Sequence, residues 1–197
     1  MAEFQASCQQ RLEAIIPAEN RRRVRLFSQD EARCGLLTVR RRRLTARGVQ
    51  PVGTVQHSFE WFYVYGAVAP SSGEHFFLEL PYLNAENFQL FLNGLAAAFR
   101  DSLNLLLVDN SGAHKAKRLQ IPENIRLVEL PPYCPELNPI ERLWRDLKDD
   151  LAWEQFADRA ALQERVATLL RAYDAATLQS LTGYTYLVDA LHALAPL

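Results

Sequence analysis

The first regular pattern along the chain is VRLFSQD (24–30), an apolar-rich stretch that predicts a strand closing on an acid. Residues 1–20 before it read as a short polar helix or a loose lead-in ending near Pro17. The arginine run 40–43 and the region from Gly48 to Gly53 predict a hairpin or loop of the same sheet. TVQHSFEWFYVYGAVA (54–69) is rich in β-branched and aromatic residues and predicts one long strand. Ser71, Ser72 and Gly73 supply a turn, and EHFFLEL (74–80) returns as a further strand. Together these pieces describe an antiparallel meander.

Beyond it the period changes. In NAENFQLFLNGLAAAFR (84–100), Phe88, Phe91, Leu92, Leu95 and Phe99 recur at helical spacing, with Asn84 as N-cap. LNLLLVD (103–109) is nearly continuous in apolar residues, as a strand buried on both faces requires. A helical turn is expected at 113–119, a strand at 125–130 and a helix over 139–152 after the proline-rich LPPYCPELNP. Helices at 159–173 and 175–182, with a short one near the end, complete the chain. The order implies an α/β fold: a mixed sheet of three antiparallel strands followed by parallel ones, flanked by helices, with a helical C-terminal tail. We divide it into a lead-in, 1–23, and one domain, 24–197.

Composition narrows the class. A chain of 197 residues, 49% hydrophobic and 23% charged, has the make-up of one ordinary folded domain. No stretch approaches the roughly 18 uninterrupted apolar residues of a membrane span, and MAEFQASCQQRLEAIIP lacks the apolar core of a secretory signal. Cys8, Cys34 and Cys134 lie far apart without a CxxC pair, so free thiols are expected rather than zinc ligands or disulfides. These features place the protein in the cytoplasm, at its DNA if nucleic acid is the partner.

Charge is uneven. Residues 21–47 carry ten arginines against Asp30 and Glu31, a local excess of eight that leaves about −9 for the rest of the chain. Such asymmetry fits either a polyanion bound at one face or a solvated arginine-rich hairpin.

Two acids end hydrophobic runs, Asp30 after VRLFSQ and Asp109 after LNLLLV. Side chains at strand ends leave the core together, and two neighbouring carboxylates call for a counter-charge such as Mg²⁺. Taken singly, each is also an ordinary turn aspartate, and Asn110-Ser111-Gly112 is good turn chemistry in any case. Glu141 sits in NPIERLW (138–144), where Asn138 as N-cap, Pro139 at N1 and Glu141 at N3 make a capping box. The same position puts a carboxylate at a helix start beside the preceding loop, with Leu143, Trp144 and Leu147 as the buried stripe. Local pattern alone leaves both readings open. Trp61, Phe62, Tyr63 and Tyr65 are expected in the core and on sheet faces rather than as base-stacking platforms.

The combination is more specific. Phe27 to Gly35 as F-x-x-D-E-x-R-x-G, then VDNSGAHK (108–115), then LPPYCPELNPIERLW (130–144) resembles the DDE transposases, and within them bacterial insertion-sequence transposases related to the Tc/mariner superfamily. The resemblance runs from about Val24 to at least Lys148 and implies a ribonuclease-H-like fold. It implies Asp30, Asp109 and Glu141 as the catalytic, metal-holding acids, with Mg²⁺ (or Mn²⁺ in its place), in two ions, as cofactor. The 32-residue step from Asp109 to Glu141 is short for the superfamily, which keeps Glu136 as a rival third ligand.

The implied activity is metal-dependent cleavage of DNA phosphodiester bonds and strand transfer at element ends. Implied partners are double-stranded DNA, both element ends and target, and a second copy of the chain in a dimer. Arg33, Arg40, Arg41, Arg42, Arg43, His114 and Lys115 are the candidate DNA contacts, with Lys117 and Arg118 adding positive charge, Asn110 supporting Asp109 and Glu31 acting electrostatically at a distance. Only about 23 residues precede the first strand, too few for a helix-turn-helix module, so a separate DNA-binding chain is expected unless that function is lost. The alternatives are a simple nuclease on the same fold and a catalytically inactive or truncated transposase-derived DNA-binding or assembly protein.

Overall fold

The computed structural model describes residues 2–42, 44–50, 52–110 and 118–194. Its centre is a five-stranded mixed sheet in the order β3-β2-β1-β4-β5, built from β1 (Arg23–Gly35), β2 (Trp61–Val68), β3 (His75–Leu80), β4 (Ser102–Val108) and β5 (Ile125–Glu129). β1, β2 and β3 pair antiparallel, while β4 and β5 join parallel to β1 and to each other. Among the described residues six helices flank the sheet: α1 (Ala2–Ile15), α2 (Ala85–Ala98), α3 (Ile140–Asp150), α4 (Arg159–Ala172), α5 (Ala175–Thr182) and α6 (Thr185–Ala193).

Strand parity assigns the faces. Phe27, Tyr65, Ala67, Leu106, Val108 and Ile125 pack under α2 through Phe88, Phe91, Leu92 and Leu95. The alternate residues meet the other helices. Leu26, Leu103, Leu105, Leu107 and Val128 lie against α1 and α6. Ala32, Cys34, Phe62, Val64 and Val68 lie against α3 and α4 through Ile140, Leu143, Trp144, Leu147, Leu162 and Val166. All seven residues of β4 are buried, as a central strand covered on both faces must be. Asn84 caps α2 by accepting from the Asn87 N–H at 2.8 Å.

Several expectations change. The lead-in is a two-sided helix whose Phe4, Cys8 and Leu12 enter the same core as β4. β1 does not stop at Asp30 but continues to Gly35, because Ala32 and Cys34 keep the alternation that buries one face. β2 starts only at Trp61, so 54–60 is not strand. That segment is held by other bonds: Thr38 N–H to the Gln56 carbonyl at 3.4 Å, and Gln56 Nε2 to the Phe156 carbonyl at 2.9 Å. Val39, Arg41 and Gln56 therefore lie against the α3–α4 connection, where Trp153 N–H donates to the Val39 carbonyl at 3.0 Å and Trp153 Nε1 to the Arg41 carbonyl at 3.1 Å. The turn expected at 113–119 falls largely on 111–117, outside the described residues. Among the described residues no helix is long and apolar enough to cross a membrane.

Candidate active site

The site follows from one register. β1 and β4 pair in parallel from Arg23 opposite Ser102 to Ser28 opposite Leu107. Continued by two residues, that register sets Asp30 beside Asp109, just past the end of β4. Both acids have the parity of Leu26, Leu103, Leu105 and Leu107, so both belong to the face covered by α1, α6 and α3. Glu141 enters from above, in the first turn of α3.

Asp30 is half-buried, whereas Asp109 and Glu141 are exposed. Burial, and then the charges of Glu31, Glu141 and Asp109, push the Asp30 carboxyl up to about 8, against a backbone hydrogen bond at Glu31 that lowers it. An acid crowded by three others is a place where a hard divalent cation is favoured, and carboxylate oxygen is the donor such cations prefer. The residues thus fit Mg²⁺ or Mn²⁺ in chemistry. As they stand they form an open arrangement: among the described residues no three His, Cys, Asp or Glu side chains are close enough to hold one ion together. Glu136 lies exposed in the short 3-10 turn Pro135–Leu137.

The capping box at α3 is not formed. The cap position is Pro139, with no side-chain cap bond. Asn138 instead sends its Nδ2 to the carbonyl of Gln29 at 2.8 Å, in a fully buried contact. The residue before Asp30 is thereby tied to the turn before Glu141. A second link had no sequence signal beyond its aromatic character: Trp144 Nε1 donates to Asp30 Oδ2 at 3.0 Å. Trp144 is only 2% exposed, so the indole N–H finds its partner inside the core. Asn110 donates through Nδ2 to the Leu130 carbonyl, joining the ends of β4 and β5.

The arginines divide between the two ends of β1. Arg25, 8% exposed, is held by Glu74 at 3.0 Å and Asp101 at 3.0 Å; Arg22 pairs with Glu123 and Arg23 with Glu74. Arg25 and Arg23 precede Asp30 on β1 by five and seven residues, roughly 17–23 Å of strand, so these paired side chains lie apart from the acids and serve the fold. The single basic face suggested by charge counting is therefore two separate groups. Arg33 is exposed beyond Asp30, its guanidinium 4.2 Å from the Trp61 ring centre. Arg40, Arg41 and Arg42 are exposed on the following segment, and Arg41 is paired with Asp149. Arg43, His114, Lys115 and Lys117 lie outside the described residues, and Arg118 pairs with Glu86 at 3.4 Å. Phe62 and Tyr65 are buried as expected, while Trp61 is 37% exposed and carries Arg33.

Comparison with known proteins identifies the family and the fold. The family profile described as DDE superfamily endonuclease matches residues 25–163. Uncharacterized protein y4pE/y4sA of Sinorhizobium fredii (strain NBRC 101917 / NGR234) is 38% identical over 91 residues, covering 46% of this chain and 67% of that protein. Among solved structures, the Mos1 transposase paired-end complex with left transposon end superposes with a TM-score of 0.68 at 16% identity, over 96% of this chain and 58% of that one. The Mos1 mariner paired end complex with Mn gives 0.67 at 16% identity, over 96% and 59%. The shared fold is the ribonuclease-H-like one, and the chain spans less than three fifths of those Mos1 chains.

Proposed function

The chain belongs to the DDE superfamily endonucleases, and from that premise we propose that it is the catalytic domain of a DNA transposase of the Tc/mariner type. Its reaction is metal-dependent cleavage of a DNA phosphodiester by water, followed by attack of the freed 3′-hydroxyl on target DNA. The observation that carries this reading is the β1–β4 register, which sets Asp30 beside Asp109 under the helix of Glu141.

In this reading Asp30, Asp109 and Glu141 hold Mg²⁺, or Mn²⁺ in its place. Two such ions, when bound, supply the positive charge that favours both the attacking and the leaving oxygen of an in-line displacement. The protein's own share is placement. β1 and β4 fix two carboxylates on one face, the Asn138–Gln29 bond fixes the start of α3 against them, and buried leucines beneath exclude water. Arg33 and Arg40 to Arg43, with His114 and Lys115, contact DNA phosphates without reading sequence. Residues 24–197 carry the activity, α1 packing onto them as part of the same core. Element ends are paired by two copies of the chain, in the cytoplasm where the DNA lies.

The open spacing of the acids favours a second reading, a transposase-derived DNA-binding protein without catalysis. Nicking of supercoiled plasmid in Mg²⁺ or Mn²⁺, wild type against Asp109→Asn, separates the two. The catalytic reading expects metal-dependent nicking that the substitution abolishes. DNA binding with no nicking by wild type establishes the second reading, and nicking that survives the substitution rejects the site.

A further inference from the structure

Trp144 stands one turn after Glu141 on α3, with its ring over β2 and its indole N–H on Asp30. Two features show that this contact is built in rather than incidental. The ring lies over Gly66, the cross-strand partner of Asp30, where a Cβ would come within 2.5 Å of Trp144 Cη2. Only a strand residue with no side chain lets the indole reach across β2 to β1. Phe77 packs against the same ring at 6.2 Å between centroids, adding a second contact that holds the indole over Gly66.

Building on the proposed metal-dependent reading, we propose that Trp144 is a positioning residue for the acidic site. Its N–H holds Asp30 Oδ2 and so sets the direction in which the carboxylate's remaining lone pairs face. Carboxylates that hold a cation depend on such supporting hydrogen bonds, because a group free to rotate offers its oxygens in many wrong directions. Trp144 donates and never accepts, so it favours the ionised carboxylate that a cation needs. Phenylalanine fills most of the same slot but carries no N–H.

The test is direct Mn²⁺ binding to the full chain, read from the electron paramagnetic resonance of free Mn²⁺, without DNA or turnover. Trp144→Phe is expected to weaken Mn²⁺ binding about 10-fold while still unfolding cooperatively, at a midpoint lowered by the lost indole contact. Asp30→Asn is expected to remove that binding. Wild type that binds Mn²⁺ while Trp144→Phe binds it equally well overturns the positioning role alone. Wild type that binds no Mn²⁺ overturns the metal-dependent reading and this role with it. A measurement on the unsubstituted fold guards against a variant that does not fold. The chain has three tryptophans, and their indole N–H resonances can be assigned through Trp61→Phe and Trp153→Phe. Mg²⁺ is expected to shift the Trp144 resonance most; a Trp144 resonance indifferent to Mg²⁺ while the other signals report binding rejects the role.

Discussion

Gly66 and Asp30 are cross-strand partners on β2 and β1, and the absence of a side chain at one opens the approach to the other. A methyl group at 66 would meet Trp144 Cη2 at 2.5 Å, Cζ2 at 2.8 Å and Phe77 Cδ1 at 3.1 Å. Both rings are packed, so neither can yield cheaply. Gly66→Ala is expected to destabilise the protein by about 1–3 kcal/mol, the usual cost of overpacking. Urea unfolding measures it, and an unchanged midpoint would mean that the indole is free to move.

Asn138 looks like a helix cap in sequence but acts as a tether in the fold. Serine caps helices as well as asparagine does, yet its hydroxyl is too short to reach the Gln29 carbonyl. Asn138→Ser is therefore expected to lose as much stability as Asn138→Ala, roughly 1–3 kcal/mol for a buried carbonyl left unpaired. Full retention of stability by the serine variant would restore the capping role.

Asp30 makes a pH signature. Its folded pKa, about 8, lies above an unfolded value of about 4, so between those values the folded chain binds more protons than the unfolded one. Stability then falls as pH rises through this window, is fully present below it, and levels off above about 8. Asp30→Asn removes the dependence. In EDTA the variant is expected to match wild type near pH 4 and to exceed it by up to a few kcal/mol near pH 8. Parallel stability curves for the two proteins would contradict the burial of that charge.

The division of the arginines gives different salt responses. Neutralising Arg40 and Arg42 is expected to lower the slope of log affinity for duplex DNA against log salt by about 0.9 for each DNA phosphate left without its arginine. Arg22→Gln and Arg23→Gln, at the far end of β1, should leave the slope unchanged while weakening the bonds to Glu123 and Glu74. Filter binding across a salt series distinguishes the groups. Equal slopes for all four variants would remove the 40–42 segment from the DNA path.

Much of the fold is legible where a local pattern and its tertiary partner agree. The stripe of α2, its Asn84 cap and the seven buried residues of β4 follow directly from residue order. The acids at 30, 109 and 141 stand out by motif, and strand parity explains why the first two share a face. Elsewhere the deciding partner is distant. Asn138 bonds to a residue 109 positions away, and Trp144 to one 114 away, so neither bond leaves a local trace. Residues 54–60 have strand-forming side chains, but their backbone and Gln56 turn to the α3–α4 connection instead of a ladder. Arg25 reads as part of a basic run because its partners, Glu74 and Asp101, come from remote loops.

β1 runs seven residues past its last partner on β4, and among the described residues the sheet continues there on the β2 side alone, with α3 and α4 packed on one face. Asp30 sits two residues beyond that change, where the strand exchanges a ladder neighbour for the helix α3. The proposed DNA contact Arg33 and the proposed metal-holding Asp30 thus share one continuous strand, so the position of one is inherited by the other through unbroken backbone.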